Sequence, residues 1–210
     1  ISGWGSAGIR LNQVNASSVS DVAVGSCAVG LSIVGDVKVS SCQAYGNAGA
    51  GFFGSGLTLT DSHAVDNQGA GFNLDDSGAV RDCVAKGNTG TGFSCNFNGN
   101  LENCVAKGNG GNGFMVQGGS MVVACVAEDN SGSGIVTVGV NGGGLIRDCS
   151  VRFNGLHGIS VTSGFSVLSN NAYQNGGAGD GAGVHVSGSD NRIEENNCVG
   201  ADYGVKVDAS

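Results

Sequence analysis

The 210-residue sequence predicts an all-β solenoid, one domain spanning residues 1–210 in which about nine to ten coils of 20–25 residues stack along a common axis. Three observations predict it. First, a glycine followed by one large apolar residue recurs along the chain. It appears as Gly8-Ile9, Gly30-Leu31, Gly51-Phe52, Gly71-Phe72, Gly92-Phe93, Gly113-Phe114, Gly134-Ile135, Gly158-Ile159, Gly183-Val184 and Gly204-Val205, at spacings of 20 to 25 residues. Second, the string Cys-Val-Ala-Lys-Gly-Asn at 83–88 returns at 104–109. Third, there are 41 glycines, no proline, and 27 valines against 9 leucines, a balance that favours strands over helices.

Each unit reads apolar-x-x-Cys-x-Ala-x-x-Asn, as in Val80, Cys83, Ala85, Asn88 or Leu101, Cys104, Ala106, Asn109, then four residues to the Gly-apolar pair. The first segment alternates with period two, as a half-buried strand does. A Gly, Ser and Thr bend follows, then a second alternating stretch such as Phe114-Met115-Val116. A leucine-rich horseshoe shares the period, but its leucine interior and helical returns are not seen here. Neighbouring coils lie about 4.8 Å apart, so equivalent residues stack in columns. Phe52, Phe72, Phe93 and Phe114 form an inward apolar column, and Asn47, Asn67, Asn88, Asn109, Asn130 and Asn154 a bend column whose amides bond one another. Cys42, Cys83, Cys104, Cys125 and Cys149 form a third column. Parallel Cβ vectors keep these cysteines wider apart than the roughly 3.5–4.5 Å a disulfide prefers, so stacked free thiols are expected.

Composition removes several classes of function. A net charge of −8 repels a phosphate backbone, and no basic run with interleaved aromatics offsets it, so no nucleic-acid partner is expected. No stretch approaches the 18 apolar residues of a membrane span. The chain starts at Ile1 without a basic-then-apolar leader, which reads as a mature form or a piece of a longer chain without its own signal peptide. No amphipathic helix covers the coil ends, which points to a larger chain or to oligomers and end-to-end contacts.

The tandem Gly-[Phe/Ile] and x-Asn-x-x-x-Gly units resemble the right-handed parallel β-helix repeats of the pectate-lyase-like superfamily, over nearly all 210 residues. The resemblance implies an extracellular or cell-surface protein, a polysaccharide partner, and, for enzymes of the superfamily, lyase or hydrolase action on acidic polysaccharides. Lyases of that kind place carboxylates around calcium beside an Arg or Lys base. Hydrolases use an Asp-Asp pair, a Gly-His-Gly and an Arg-Ile-Lys in that order. Here Asp75-Asp76, Leu156-His157-Gly158 and Arg192-Ile193-Glu194 depart from that pattern. About four coils, roughly 19 Å, separate Asp75 from His157, too far for partners at one reacting centre.

For metal, Asp61 and Asp82 fall on adjacent coils, but Asn103 and Ala124 end the run, so no calcium cage is visible and calcium enters only if the chain is a lyase. Lys86, Lys107 and Arg152 make a basic strip that could underlie an anionic sugar chain; paired as Arg81–Glu102 and Lys107–Glu128, the same face is ordinary solvated surface. The long coils place insertions near 140–144 and 176–181, where non-repeating loops carry function on a regular scaffold. His157, Asp180, His185 and Arg192 lie there and are the catalytic candidates. Three functions stand together: a surface domain contacting polysaccharide without a catalytic site in this segment, a lyase or glycoside hydrolase, and a structural stalk, adhesin or oligomerisation module.

Overall fold

The computed structural model describes residues 1–76, 78–139, 142–177 and 179–208; Ser77, Val140, Asn141, Ala178 and the last two residues lie outside the description, so the insertions expected near 140–144 and 176–181 are described only in part. Twenty-six short strands and no helix occur among the described residues, and every strand pairing is parallel. The chain winds as a right-handed solenoid. Each strand pairs with its equivalent one coil away: Phe72 faces Phe93, Val80 faces Leu101, and Ala85 faces Ala106.

Three sheets wrap the bore. The front sheet starts at the Gly-apolar pairs and includes Phe114–Gln117, Ile159–Val161, Ala182–Val186 and Tyr203–Val207. The side sheet includes Asn100–Glu102 and Arg192–Glu194, and the back sheet includes Val105–Lys107 and Ser150–Arg152. The back sheet has nine strands, one per coil. In two early coils the strands Val29–Ser40 and Phe52–Thr60 run unbroken from front to side, fusing those sheets.

The interior is the set of columns the repeat implies. Phe52, Phe72, Phe93 and Phe114 stack face to face at 4.6, 4.6 and 4.9 Å between ring centroids, fully buried. Ala44, Ala64, Ala85, Ala106 and Ala127 line the narrow side. The glycine before each large apolar residue makes room for that narrowness. A Cβ on Gly92 would lie 2.7 Å from Gly113 O, 2.9 Å from Asn109 Nδ2 and 3.0 Å from the Ala106 Cβ.

The buried asparagines form a ladder from Asn47 to Asn175. Each Nδ2 donates to the next Oδ1 at 2.8–2.9 Å. Within the ladder the second Nδ2 hydrogen goes to a carbonyl of the preceding coil, as from Asn109 to Ala85 O, and the second Oδ1 lone pair accepts a backbone N–H, as from Asn88 N. From Asn67 to Asn154 the two donors and two acceptors of each amide are thereby all used. Asn175, absent from the expected column, closes it.

The cysteine column is a second version of the same device. Cys83, Cys104, Cys125 and Cys149 are free, buried thiols that donate to bend carbonyls such as Arg81 O at 3.2 Å and Arg147 O at 3.3 Å. Burial pushes the Cys149 thiol up to about 12. On the next coil the column changes to asparagine: the Cys149 N–H donates to Asn170 Oδ1 at 2.9 Å, and Asn170 Nδ2 donates to Asn196 Oδ1 at 2.9 Å.

Candidate functional site

The sequence candidates fall on three faces of the solenoid. On the back sheet Lys107 and Arg152 both reach Glu128, each at 3.2 Å, and this holds the Glu128 carboxyl below its usual range, Arg152 contributing most. Lys86 stands beside Lys107 in register and makes no ion pair among the described residues. The basic strip is therefore largely neutralised by its own face.

Asp61 and Asp82 occupy the bend between side and back sheets, with φ of 49° and 54°. The same bend position holds Ser41, Asn103, Asp148, Ser169 and Glu195, all at positive φ. Asp and Asn tolerate that left-handed conformation better than other non-glycine residues, which accounts for the recurrence. Among the described residues no group of three or more His, Cys, Asp or Glu could hold a metal ion. Arg192 lies on the side sheet, where its Nε and Nη2 both donate to the Glu194 carboxylate. It touches none of the other catalytic candidates.

His157, Asp180 and His185 do come together, on the outer face of the front sheet at its last three coils. The register sets Ser160 beside His185 and His185 beside Lys206. The rings of His157 and His185 stack with centroids 4.3 Å apart. His185 Nε2 lies 2.9 Å from Asp208 Oδ2, and its Nδ1 lies 3.2 Å from Ser160 Oγ. Lys206 Nζ donates to both Asp180 oxygens at 2.9 Å and sits 5.3 Å from the centre of the exposed Tyr203 ring. That ion pair lowers the Asp180 pKa and raises that of Lys206.

Tautomers follow from these contacts. The Ala182 N–H donates to His157 Nδ1 at 3.2 Å, so the neutral His157 ring carries its proton on Nε2. Burial first, then the His185 and Lys206 charges, lower the His157 pKa. The ring is thus held as a neutral N–H donor. The Asp208 carboxylate can only accept, so it keeps the His185 proton on Nε2 and leaves Nδ1 a lone pair. The cluster combines a cation, a neutral N–H donor, an oriented base and an exposed aromatic ring.

Ser160, Lys206 and Asp208 were not among the sequence candidates. The signal for two of them lay in the repeat itself: the residue after each Gly-apolar pair points outward, and in the last three units it reads Ser160, His185, Lys206.

The coiled fold is shared with known proteins. The model of the right handed beta helix region matches residues 1–123 and 96–210. The chain belongs to this right-handed β-helix family. No curated protein sequence matches this β-helix significantly. Among solved structures, the A-module of mannuronan C-5 epimerase AlgE6 from Azotobacter vinelandii is similar at a TM-score of 0.87, covering 98% of this chain and 70% of that one at 19% identity. The A-module of mannuronan C-5 epimerase AlgE4 from the same organism gives 0.72, covering 97% and 76% at 18% identity. The Agl-KA catalytic domain gives 0.57, covering 94% and 59% at 10% identity. At these identities the likeness to this β-helix is one of fold.

Proposed function

We propose that this β-helix acts on an acidic polysaccharide by removing the proton next to a sugar carboxylate, at the outer face of the last three front-sheet coils. The observation that carries the reading is the grouping of His157, His185, Lys206 and Asp208 on one exposed face. A hydrogen on the carbon beside a carboxylate becomes acidic only when the developing negative charge on that group is neutralised. Lys206 supplies the cation once a substrate carboxylate takes the place of Asp180, whose side chain is 70% exposed. The His157 Nε2–H donates to the second carboxylate oxygen. His185 accepts the proton at Nδ1 and the Asp208 carboxylate stabilises the imidazolium, as a buried or oriented carboxylate does for a general base. Tyr203 offers its ring face to a sugar ring.

Reprotonation on the other face of the carbon gives an epimer, and loss of the adjacent glycosidic oxygen gives an unsaturated sugar. Both outcomes share the first step. The fold shared with two proteins named mannuronan C-5 epimerases supports the substrate class. Polymers of this kind lie outside the cytoplasm, and the proposal puts the protein there.

Incubation with a panel of acidic and neutral polysaccharides, with and without calcium, tests the reading. New unsaturated-uronide absorbance, or a changed epimer ratio by proton NMR, on acidic polymers alone is expected. Binding without either product would instead favour a non-catalytic carbohydrate-contacting domain.

A further inference from the structure

Among the described residues the Ser160 side chain makes one hydrogen bond, and it is to a base. Its Oγ lies 3.2 Å from His185 Nδ1, on the opposite side of the ring from Asp208. Because Asp208 fixes the proton on Nε2, the Ser160 hydroxyl is the donor in this contact. Hydroxyl, imidazole and carboxylate stand in one hydrogen-bonded line. The equivalent outward positions one and two coils earlier are Val136 and Met115, so the face does not require a hydroxyl there. Proton removal from a sugar carbon needs no nucleophile, which leaves the serine unexplained by that reading.

We propose that Ser160, His185 and Asp208 form a nucleophile–base–carboxylate relay that hydrolyses an acyl ester on a sugar hydroxyl, acetate being the simplest acyl group. The proposal goes beyond the proton-transfer reading and shares His185, His157 and Lys206 with it. Ser160 Oγ bonds to the acyl carbon as its proton passes to His185 Nδ1, and the carbonyl electron pair moves onto oxygen. The Lys206 ammonium and the His157 Nε2–H, on either side of His185, face that oxyanion; they serve because the sheet ladder already uses the backbone N–H groups. Collapse breaks the bond to the sugar oxygen, which leaves with the proton from Nδ1, and an acyl-serine remains. Water then attacks the acyl carbon, gives its proton to His185, and releases the carboxylic acid and the free serine. The sum is ester plus water giving acid plus alcohol, with no other reactant.

The test uses the whole chain with p-nitrophenyl acetate and with an O-acetylated polyuronate, following nitrophenol and acetate. Wild type is expected to release both, and Ser160→Ala to lower the rate by at least ~100-fold with unchanged circular dichroism and thermal midpoint. A fluorophosphonate should label the wild-type peptide containing Ser160, detected by mass spectrometry. Release by Ser160→Ala at the wild-type rate, or wild type that neither releases acetate nor takes the label, would overturn the relay. Hydrogen exchange at the carbon beside the carboxylate is followed separately on de-esterified polymer. Exchange without acetate release defeats the relay alone, and acetate release without exchange defeats the proton-transfer reading alone.

Discussion

Replacing Asn109 by alanine removes a side chain that is fully hydrogen bonded and buried in mid-ladder. Its Oδ1 accepts the Asn88 backbone N–H at 3.1 Å and the Asn88 Nδ2 at 2.9 Å, and both donors lose their partner. An unsatisfied buried donor costs about 1–3 kcal/mol, so two cost about 4 kcal/mol together. For a chain of this size that corresponds to a fall of roughly 10 °C in thermal midpoint. Asn112 is the matched control: its Oδ1 accepts a single backbone N–H, from Ser133 at 2.9 Å, at a half-buried site, and Asn112→Ala should cost about 1 kcal/mol. Urea unfolding followed by far-ultraviolet circular dichroism compares the two. A cost below about 1 kcal/mol for Asn109→Ala, or equal costs for both variants, would refute the ladder as a network in which every member needs its neighbours.

Gly92→Ala should destabilise by about 2 kcal/mol or more, measured in the same way, because the new Cβ meets the backbone Gly113 O at 2.7 Å and the buried Asn109 Nδ2 and Ala106 Cβ at 2.9 and 3.0 Å. The column cysteines should resist a thiol reagent in the native state and react together on unfolding, since burial raises the Cys149 thiol to about 12 and the others lie buried beside it. The lowered His157 pKa makes the native state bind fewer protons than the unfolded chain, from its lowered value up to the ordinary value near 6.5. Stability therefore rises with pH across that interval and falls as pH drops below about 6.5; His157→Gln should flatten this part of a thermal-midpoint profile.

Most of the scaffold could be read from the sequence because a solenoid repeats its requirements. The glycine before Phe93, the alanine at 106 and the asparagine at 109 meet in space, and the same triple recurs at Gly30, Gly51, Gly71, Gly113 and Gly158. Asn175 escaped because four extra residues separate it from Gly183, where Asn154 stands four from Gly158. The bend role of Asp61 and Asp82 is a backbone conformation, visible only as a recurring Asp, Asn or Ser before the cysteine column. The site was harder to read because it does not repeat. His157 and His185 are 28 residues apart in the chain and become stacked because one long coil of 25 residues keeps Ile159 in register with Val184. Lys206 holds an outward position that recurs in every unit, but a lysine stands there once, and Asp208 lies outside the repeated pattern, whereas Arg192 stood in a motif-like string and turned out to bond its own neighbour.

The most direct measurement is deuterium incorporation into a polyuronate incubated with the protein in heavy water, read by NMR at the carbon beside the carboxylate. Wild type should introduce deuterium there, and His185→Ala and Lys206→Ala should each reduce the rate by at least ~100-fold while remaining folded. No incorporation by wild type, or incorporation undiminished in His185→Ala, would contradict the assignment of acid–base chemistry to this face.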